Sequence, residues 1–215
     1  MLIGVAIPCY VGHIKMLTEL LDSIENQTVK PDKVVVSCSS TDNISVKEYS
    51  YPLIIVTTYK KLNAAENRNI AASQLSDMDL ITFIDADDIM HLQRIEILLN
   101  IFNKTNCDIV LHNFIVDNNN FQGIANVDYK INTLERCPSG CLRHKDRNLW
   151  NVQPIHHSQS TIKKQIFDIV KYPEEIEYNR REDSIFCNRV LSLDNINHVY
   201  VVNQLSCYRQ SNTSF

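Results

Sequence analysis

The sequence predicts an α/β fold with a mostly parallel central sheet flanked by helices and a smaller region after it. Two observations carry that prediction. Continuous apolar runs at 2–8, 34–36, 53–56, 80–84 and 109–111 lack the polar alternation of a half-exposed strand, so they read as strands covered on both faces. Several of the intervening stretches carry apolar residues at helical spacing, and strands alternating with helices build parallel sheets. In such sheets ligands bind beyond the carboxyl ends of the strands. That makes three strand ends candidates for one site: Pro8-Cys9-Tyr10, Ser37 to Asp42, and Asp85 to Asp88.

Each element has its own signal. The run 2–8 ends in Pro8 and is short, with no basic leader and no small-residue cleavage site, so it reads as a first strand. Ile14, Leu17, Leu20, Leu21 and Ile24 predict a helix from about His13 to Asn26. Val34-Val35-Val36 and Leu53 to Val56 are the next strands. Asn63 followed three residues later by Glu66 is a capping-box variant that starts a helix running to about Leu75. Leu80 to Ile84 is the fourth strand, Leu92 to Phe102 a further helix and Ile109 to Leu111 a further strand. The tetrapeptide Asp117-Asn118-Asn119-Asn120 is a polar break. Residues 126–153 have weak periodicity and contain Pro138 and Gly140, so they read as loop and short strands. Ser160 to Lys163 predicts a strand, Ile166 to Val170 a short helix, and Ile185 to Leu193 the last helix, entered through Arg181-Glu182-Asp183. Val199 to Val202 and Leu205 to Tyr208 predict two closing strands. The organisation is one continuous domain with two halves, 1–116 and 117–215.

Composition narrows the function classes. The 215 residues are 44% hydrophobic and 21% charged with net charge −4, ordinary values for a soluble globular protein. No basic stripe is present, which argues against nucleic acid as a partner. No stretch approaches transmembrane length. The seven cysteines are odd in number and scattered, which fits reduced thiols in a cytoplasmic protein. Cys137 and Cys141 are the one close pair, without the second pair a zinc site needs.

The chemistry concentrates in Ile81-Thr82-Phe83-Ile84-Asp85-Ala86-Asp87-Asp88. An apolar strand running into three carboxylates sets negative charge at the mouth of the sheet. Mg²⁺ and Mn²⁺ take hard oxygen ligands and keep water and substrate phosphates in their shell, so one or two carboxylates suffice. The same acids would also serve as a solvated turn or a helix cap.

Taken together the segments resemble the family 2 glycosyltransferases, which share the GT-A fold. Ile7-Pro8-Cys9-Tyr10 is similar to that family's opening strand and turn, and Leu17 to Gln27, with Ser23 and Gln27, to its first helix. Val34 to Asp42, ending Ser40-Thr41-Asp42, resembles its second strand and turn, Asn67-Arg68-Asn69 its Ala-Arg-Asn helix segment, and Ile81 to Asp88 its Asp-x-Asp motif. Arg181-Glu182-Asp183 resembles the acceptor-side Glu-Asp motif, and Cys207-Tyr208-Arg209 with Ser211 and Ser214 the closing segment. The resemblance implies an enzyme of the hexosyltransferase type. It would move a sugar from a UDP- or GDP-linked donor to a glycan or other hydroxyl acceptor, with inversion, using Mn²⁺ or Mg²⁺.

The resemblance also implies roles. Asp87, with Asp88 next, would hold the metal, and His157, or its neighbour His156, offers a third ligand; the pair would equally serve as polar lining of the acceptor cleft or of a loop. Asp85 would face the ribose or donor sugar. Pro8 and Tyr10 would meet the base, and Arg68 and Arg209 the nucleotide. Asp183 would take the acceptor's proton with Glu182 beside it; both also suit a helix N-terminus. One departure matters: Ser37 and Cys38 stand where the family often carries paired aspartates, one of which binds the base; Ser37 would still bind the nucleotide by donating or accepting a hydrogen bond. The competing readings are a nucleotide-sugar-binding module without turnover, a flavodoxin-like interaction domain, which has no use for the second half, and a nucleotidyltransferase, which wants a glycine-rich basic loop where Val11-Gly12-His13 has one glycine.

Overall fold

The chain alternates strand and helix through its first half. β1 (Ile3–Tyr10) leads through α1 (Ile14–Glu25) to β2 (Lys33–Ser39) and β3 (Leu53–Thr58), then through α2 (Ala64–Ser73) to β4 (Leu80–Phe83). A short β5 (Ile89–Met90) precedes α3 (Arg94–Thr105) and β6 (Ile109–Val116). The second half holds β7 (Tyr129–Ile131), the hairpin β8 (Leu134–Arg136) and β9 (Leu142–His144), β10 (Thr161–Lys163), α4 (Lys164–Ile169), α5 (Glu182–Val190) and β11 (His198–Tyr208). This is a computed structural model, and it describes residues 1–117 and 121–209. Asn118, Asn119 and Asn120 of the polar break, and Ser211 and Ser214 of the closing segment, lie outside the described residues.

One nine-stranded sheet runs β3-β2-β1-β4-β10-β6-β11-β5, with β7 also paired to β11. Strands β1, β2, β3, β4, β6 and β11 point one way, while β10, β5 and β7 oppose them. The mostly parallel sheet is therefore as expected. Its two faces are covered, which is why the strands read as unbroken apolar runs. Val5, Ile7, Val34 and Val36 face α1 and α3 through Leu17, Leu21 and Leu98. Ala6 and Val35 face α2, α4 and α5 through Ala71, Phe167 and Phe186. Gly4 is needed because a Cβ there would sit 2.6 Å from Leu75 Cδ2.

Ser23 of α1 and Gln27 just beyond its end anchor the chain between the acidic turn and α3. Met90 N donates to Ser23 Oγ at 3.1 Å. The buried Gln27 amide accepts from Ile95 N at 3.1 Å and donates to His91 O at 2.7 Å. They clamp the start of α3, which begins at Arg94 rather than at Leu92. The two closing strands expected at 199–202 and 205–208 are one strand, β11, with register shifts against β6 around Gln204. Those shifts let it continue through the polar Asn203-Gln204 interruption.

The hairpin of β8 and β9 braces α5. Cys137 and Cys141 face each other across Pro138-Ser139-Gly140, with Cys137 N donating to Cys141 O at 2.8 Å and Gly140 N to Cys137 O at 3.0 Å. Asn188 Nδ2 on α5 donates to both cysteine carbonyls, at 3.3 and 3.1 Å. Both thiols are free.

Candidate active site

The carboxyl ends of β1 and β4 open into a cleft of about 820 Å³, a volume in the range of small-ligand sites. Pro8, Cys9 and Tyr10 line it from β1, Asp85 and Asp87 from the turn after β4, Asn67 and Arg68 from α2, and Glu182 and Asp183 from the start of α5. Arg68 and Glu182, 114 positions apart in sequence, thus share one cavity. α2 is aimed there by its cap: Glu66 N donates to Asn63 Oδ1 at 2.9 Å, and Asn63 N to Glu66 Oε2 at 2.8 Å.

Arg68 is the hub. It is buried at 3% exposure, and its guanidinium donates to Asp85 Oδ1 and to Glu182 Oε1, each at 2.7 Å. Its planar face lies 5.1 Å from the centre of the Tyr172 ring. Burial alone would lower its pKa, but Asp85, Tyr172, Glu182 and Asp183 hold it well above the ordinary value. Arg68 therefore organises the carboxylates of both halves of the chain. Burial pushes the Asp183 carboxyl up to about 6, opposed by Arg68 and by the backbone N–H of Ser184, whose bond to Oδ1 is 2.6 Å, and assisted by Glu182. A carboxylate that ionises near neutral pH suits proton abstraction.

The three aspartates after β4 separate sharply. Asp85 and Asp87 line the cleft. Asp88 is fully buried and turned inward: Oδ1 accepts from Arg209 N at 3.0 Å, and Oδ2 accepts from Gln159 Nε2. Burial, then Asp85 and Asp87, raise its pKa well above the carboxylate range. Gln159 Oε1 in turn accepts from buried Arg94 at 2.8 Å. Asp88 is thus a strut between the acidic turn, α3 and the end of β11, and this corrects the expectation that it faces the metal.

His157 also departs from expectation. Its Nε2 accepts from Leu142 N at 3.1 Å, so that lone pair belongs to β9. His156 is the imidazole beside the acidic turn, 3.7 Å from Asp88 Oδ2. Burial takes His156 down to about 3 and His157 to about 4, leaving both neutral. Arg209 is tied down too, its side chain bonded to Asp87 O, Glu19 and Met16 O. Ser37 lies behind the cleft wall, donating to Asn67 Oδ1 at 2.9 Å, while Asn67 Nδ2 donates to Ser39 Oγ at 3.2 Å. The exposed Trp150 donates its indole N–H to His144 O, outside the cleft lining.

A family profile described as Glycosyl transferase family 2 matches residues 4–170. The chain belongs to that family. Among solved structures, S. aureus TarS 1–349 in complex with UDP matches with a TM-score of 0.69 at 16% identity, over 98% of this chain and 61% of that one. The same TarS fragment in complex with UDP-GlcNAc matches at TM-score 0.70 and 16% identity, over 100% and 60%. A longer TarS structure matches at 0.66 and 16%, over 98% and 37%. These likenesses show the shared GT-A fold. The chain spans about three fifths of the length of the first two structures. No curated protein matches its sequence.

Some cleft residues lie outside the segments that resemble the family. Ile176, Asn179 and Arg180 form the wall before α5, and Lys61 stands at the entry to α2. Tyr208 closes the cleft beside the acids. The run Asn179-Arg180-Arg181-Glu182-Asp183 could have flagged Arg180 as flanking a motif; nothing in the sequence singles out Ile176.

Among the described residues, no group of three or more His, Cys, Asp or Glu side chains is disposed to hold a metal ion. The residues nevertheless fit a divalent ion of the Mg²⁺ or Mn²⁺ type. Asp87 offers carboxylate oxygen on the open side of the turn, and such ions complete their shells with water and substrate phosphates.

Proposed function

We propose that this family 2 glycosyltransferase moves a hexosyl group from a nucleoside-diphosphate sugar to a hydroxyl acceptor with inversion. The observation that carries the reading is the pairing of the acidic turn with Asp183 in one cleft, bridged by Arg68. In the reaction the acceptor oxygen bonds to the anomeric carbon as the bond to the diphosphate oxygen breaks. The proton goes to Asp183, and the nucleoside diphosphate leaves on the opposite side. Glu182 holds Arg68 and keeps Asp183 oriented. Asp87 would hold a divalent ion, Mn²⁺ or Mg²⁺, which when bound would supply positive charge to offset the negative charge of the leaving diphosphate. Asp85, fixed by Arg68, meets the ribose or the donor sugar.

Residues 1–116 serve the donor and 117–215 the acceptor. Tyr10 and Pro8 take the base, over a floor fixed by the buried Ser37–Asn67–Ser39 hydrogen bonds. The TarS structures hold UDP and UDP-GlcNAc, and the common fold supports a uridine-linked donor here as well. A cytoplasmic, reducing setting suits the seven free thiols. No helix among the described residues is long and apolar enough to cross a membrane.

The test is thermal-shift screening against UDP- and GDP-sugars with and without Mn²⁺. A donor at 100 times its Kd raises stability by about 2.7 kcal/mol. A UDP-sugar is expected to do so, more strongly with Mn²⁺. If no nucleotide sugar shifts the transition under either condition, the reading is wrong.

A further inference from the structure

The turn that delivers α5 to the cleft is built around an unfavourable residue. Asn179 has φ −50° and ψ 133°, Arg180 has φ 70°, and Arg181 N donates to Tyr178 O at 2.8 Å. These are the marks of a type II turn, whose third residue must take positive φ and is ordinarily glycine or asparagine. An L-residue with a long side chain pays a conformational cost there. Among the described residues six non-glycine residues have positive φ; four are Asn or Asp, and the other two are Ser40 and Arg180. Stability would be better served by glycine at this position.

The side chain is not spent on the fold either. Arg180 is exposed and lines the cleft, yet among the described residues it makes no hydrogen bond or ion pair. Glu66, Asp85, Asp87, Glu182 and Asp183 line the same cleft. Arg68 is already paired with two of them, Asp85 and Glu182, and Arg209 is bonded elsewhere. Lys61, likewise exposed and unpaired among the described residues, is a second cation on the lining. Strained residues gather where a ligand is gripped, and an arginine fork matches the oxygens of a phosphate or carboxylate.

We propose that Arg180 binds an anionic group carried by the acceptor, so that the acceptor is a phosphate- or carboxylate-bearing hydroxyl compound. This rests on the glycosyltransferase reading. Arg180 is three residues from Asp183, and the base must lie beside the acceptor hydroxyl. The donor diphosphate belongs instead to the acidic turn on the other wall. A single short segment then holds both the acceptor's charge and its reacting oxygen.

The probe is sn-glycerol 3-phosphate, which joins a phosphate to free hydroxyls, with glycerol as the neutral control. Both are titrated calorimetrically at low ionic strength into protein saturated with UDP and Mg²⁺. Wild-type protein is expected to bind glycerol 3-phosphate and not glycerol. Arg180→Gly is expected to weaken that binding at least 10-fold, to leave the Kd for UDP within 2-fold and to melt no lower than wild type. Arg180→Lys should retain most of the affinity. The idea is overturned if glycerol 3-phosphate binds no better than glycerol, or if Arg180→Gly leaves its affinity intact. It is also overturned if UDP affinity falls as far as glycerol 3-phosphate affinity, since the anion would then be the donor's diphosphate. Failure of the parent reading shows separately, as absence of UDP binding to the wild-type protein, and takes this proposal with it.

Discussion

Adjacent aspartates in this chain do opposite work because one faces solvent and the other faces protein. Asp87→Ala removes a cleft carboxylate, so transfer and Mn²⁺-dependent donor stabilisation should fall about 100-fold or more, with Tm nearly unchanged. Asp88→Ala strips the acceptor from Arg209 N and Gln159 Nε2. Leaving buried donors unpaired costs roughly 1–3 kcal/mol, which for a chain of this size lowers Tm by about 2–12 °C. Melting curves and transfer rates on the two variants separate the roles; equal Tm losses would refute the division. Asp183 carries a pH signature as well. Its folded pKa of about 6 lies above the ordinary carboxylate value, so the folded state binds the extra proton. The stability this contributes is present at low pH and is lost as pH rises from about 4 through about 6. Activity runs the other way, rising through about 6 as the base ionises. Asp183→Asn should remove both slopes, cut kcat by about 10²–10⁴-fold and leave donor affinity unchanged. A pH–rate profile with the same inflection in that variant would show that the base lies elsewhere. The carboxylates were legible in the sequence because a strand running into acids is a local pattern. That Asp88 turns inward was not, because it depends on Gln159, 71 positions away.

At the scale of elements, long strands and helices were legible one by one, as were β10 and α4, whereas 126–153 read only as loop and short strands without individual bounds. α1 was legible because five apolar residues recur at its period, and α2 because its capping box is local. β7, β8 and β9 are three residues each, too short for any period to register. β11 read as two strands because Asn203 and Gln204 interrupt its apolar pattern where the register shifts. Yet the unreadable hairpin matters to the site, since it seats the helix that presents Asp183. Gly140 has φ 90°, and a Cβ there would lie 2.8 Å from Ile185 Cδ1. Gly140→Ala combines backbone strain of about 1–2 kcal/mol with a push on α5. The expected result is a modest loss of Tm, an acceptor-side loss of kcat/KM and an unaltered Kd for the donor nucleotide. Nucleotide titration and steady-state kinetics on the same preparation check it; a donor affinity that falls in step with kcat/KM would detach the hairpin from the acceptor side.

At the scale of the whole molecule, the donor half and acceptor half that we propose do not fold as separate units. β6 belongs to the first 116 residues, but both of its neighbours, β10 and β11, come from after residue 117. β4 likewise has β1 on one side and β10 on the other. Asp88 is pinned by Gln159 and Arg209, and Arg68 by Glu182, so the acidic turn itself is assembled from both halves. The alternation of strand and helix predicts a mostly parallel sheet. What the alternation does not encode is insertion, because β10 is three residues long and its pairing is entirely non-local. The expectation is a single cooperative unfolding transition for the 215-residue chain, with coincident far-UV and near-UV melts. A fragment of residues 1–116 would expose both edges of β6 and the open edge of β4, each a template for intermolecular pairing. It should aggregate or remain without fixed tertiary packing, and it should show no UDP-dependent rise in Tm even though it contains Tyr10, Arg68, Asp85 and Asp87. A fragment that folds as a monomer and binds UDP with the affinity of the whole chain would mean that the donor half is an autonomous domain and that the interleaved strands contribute nothing to its stability.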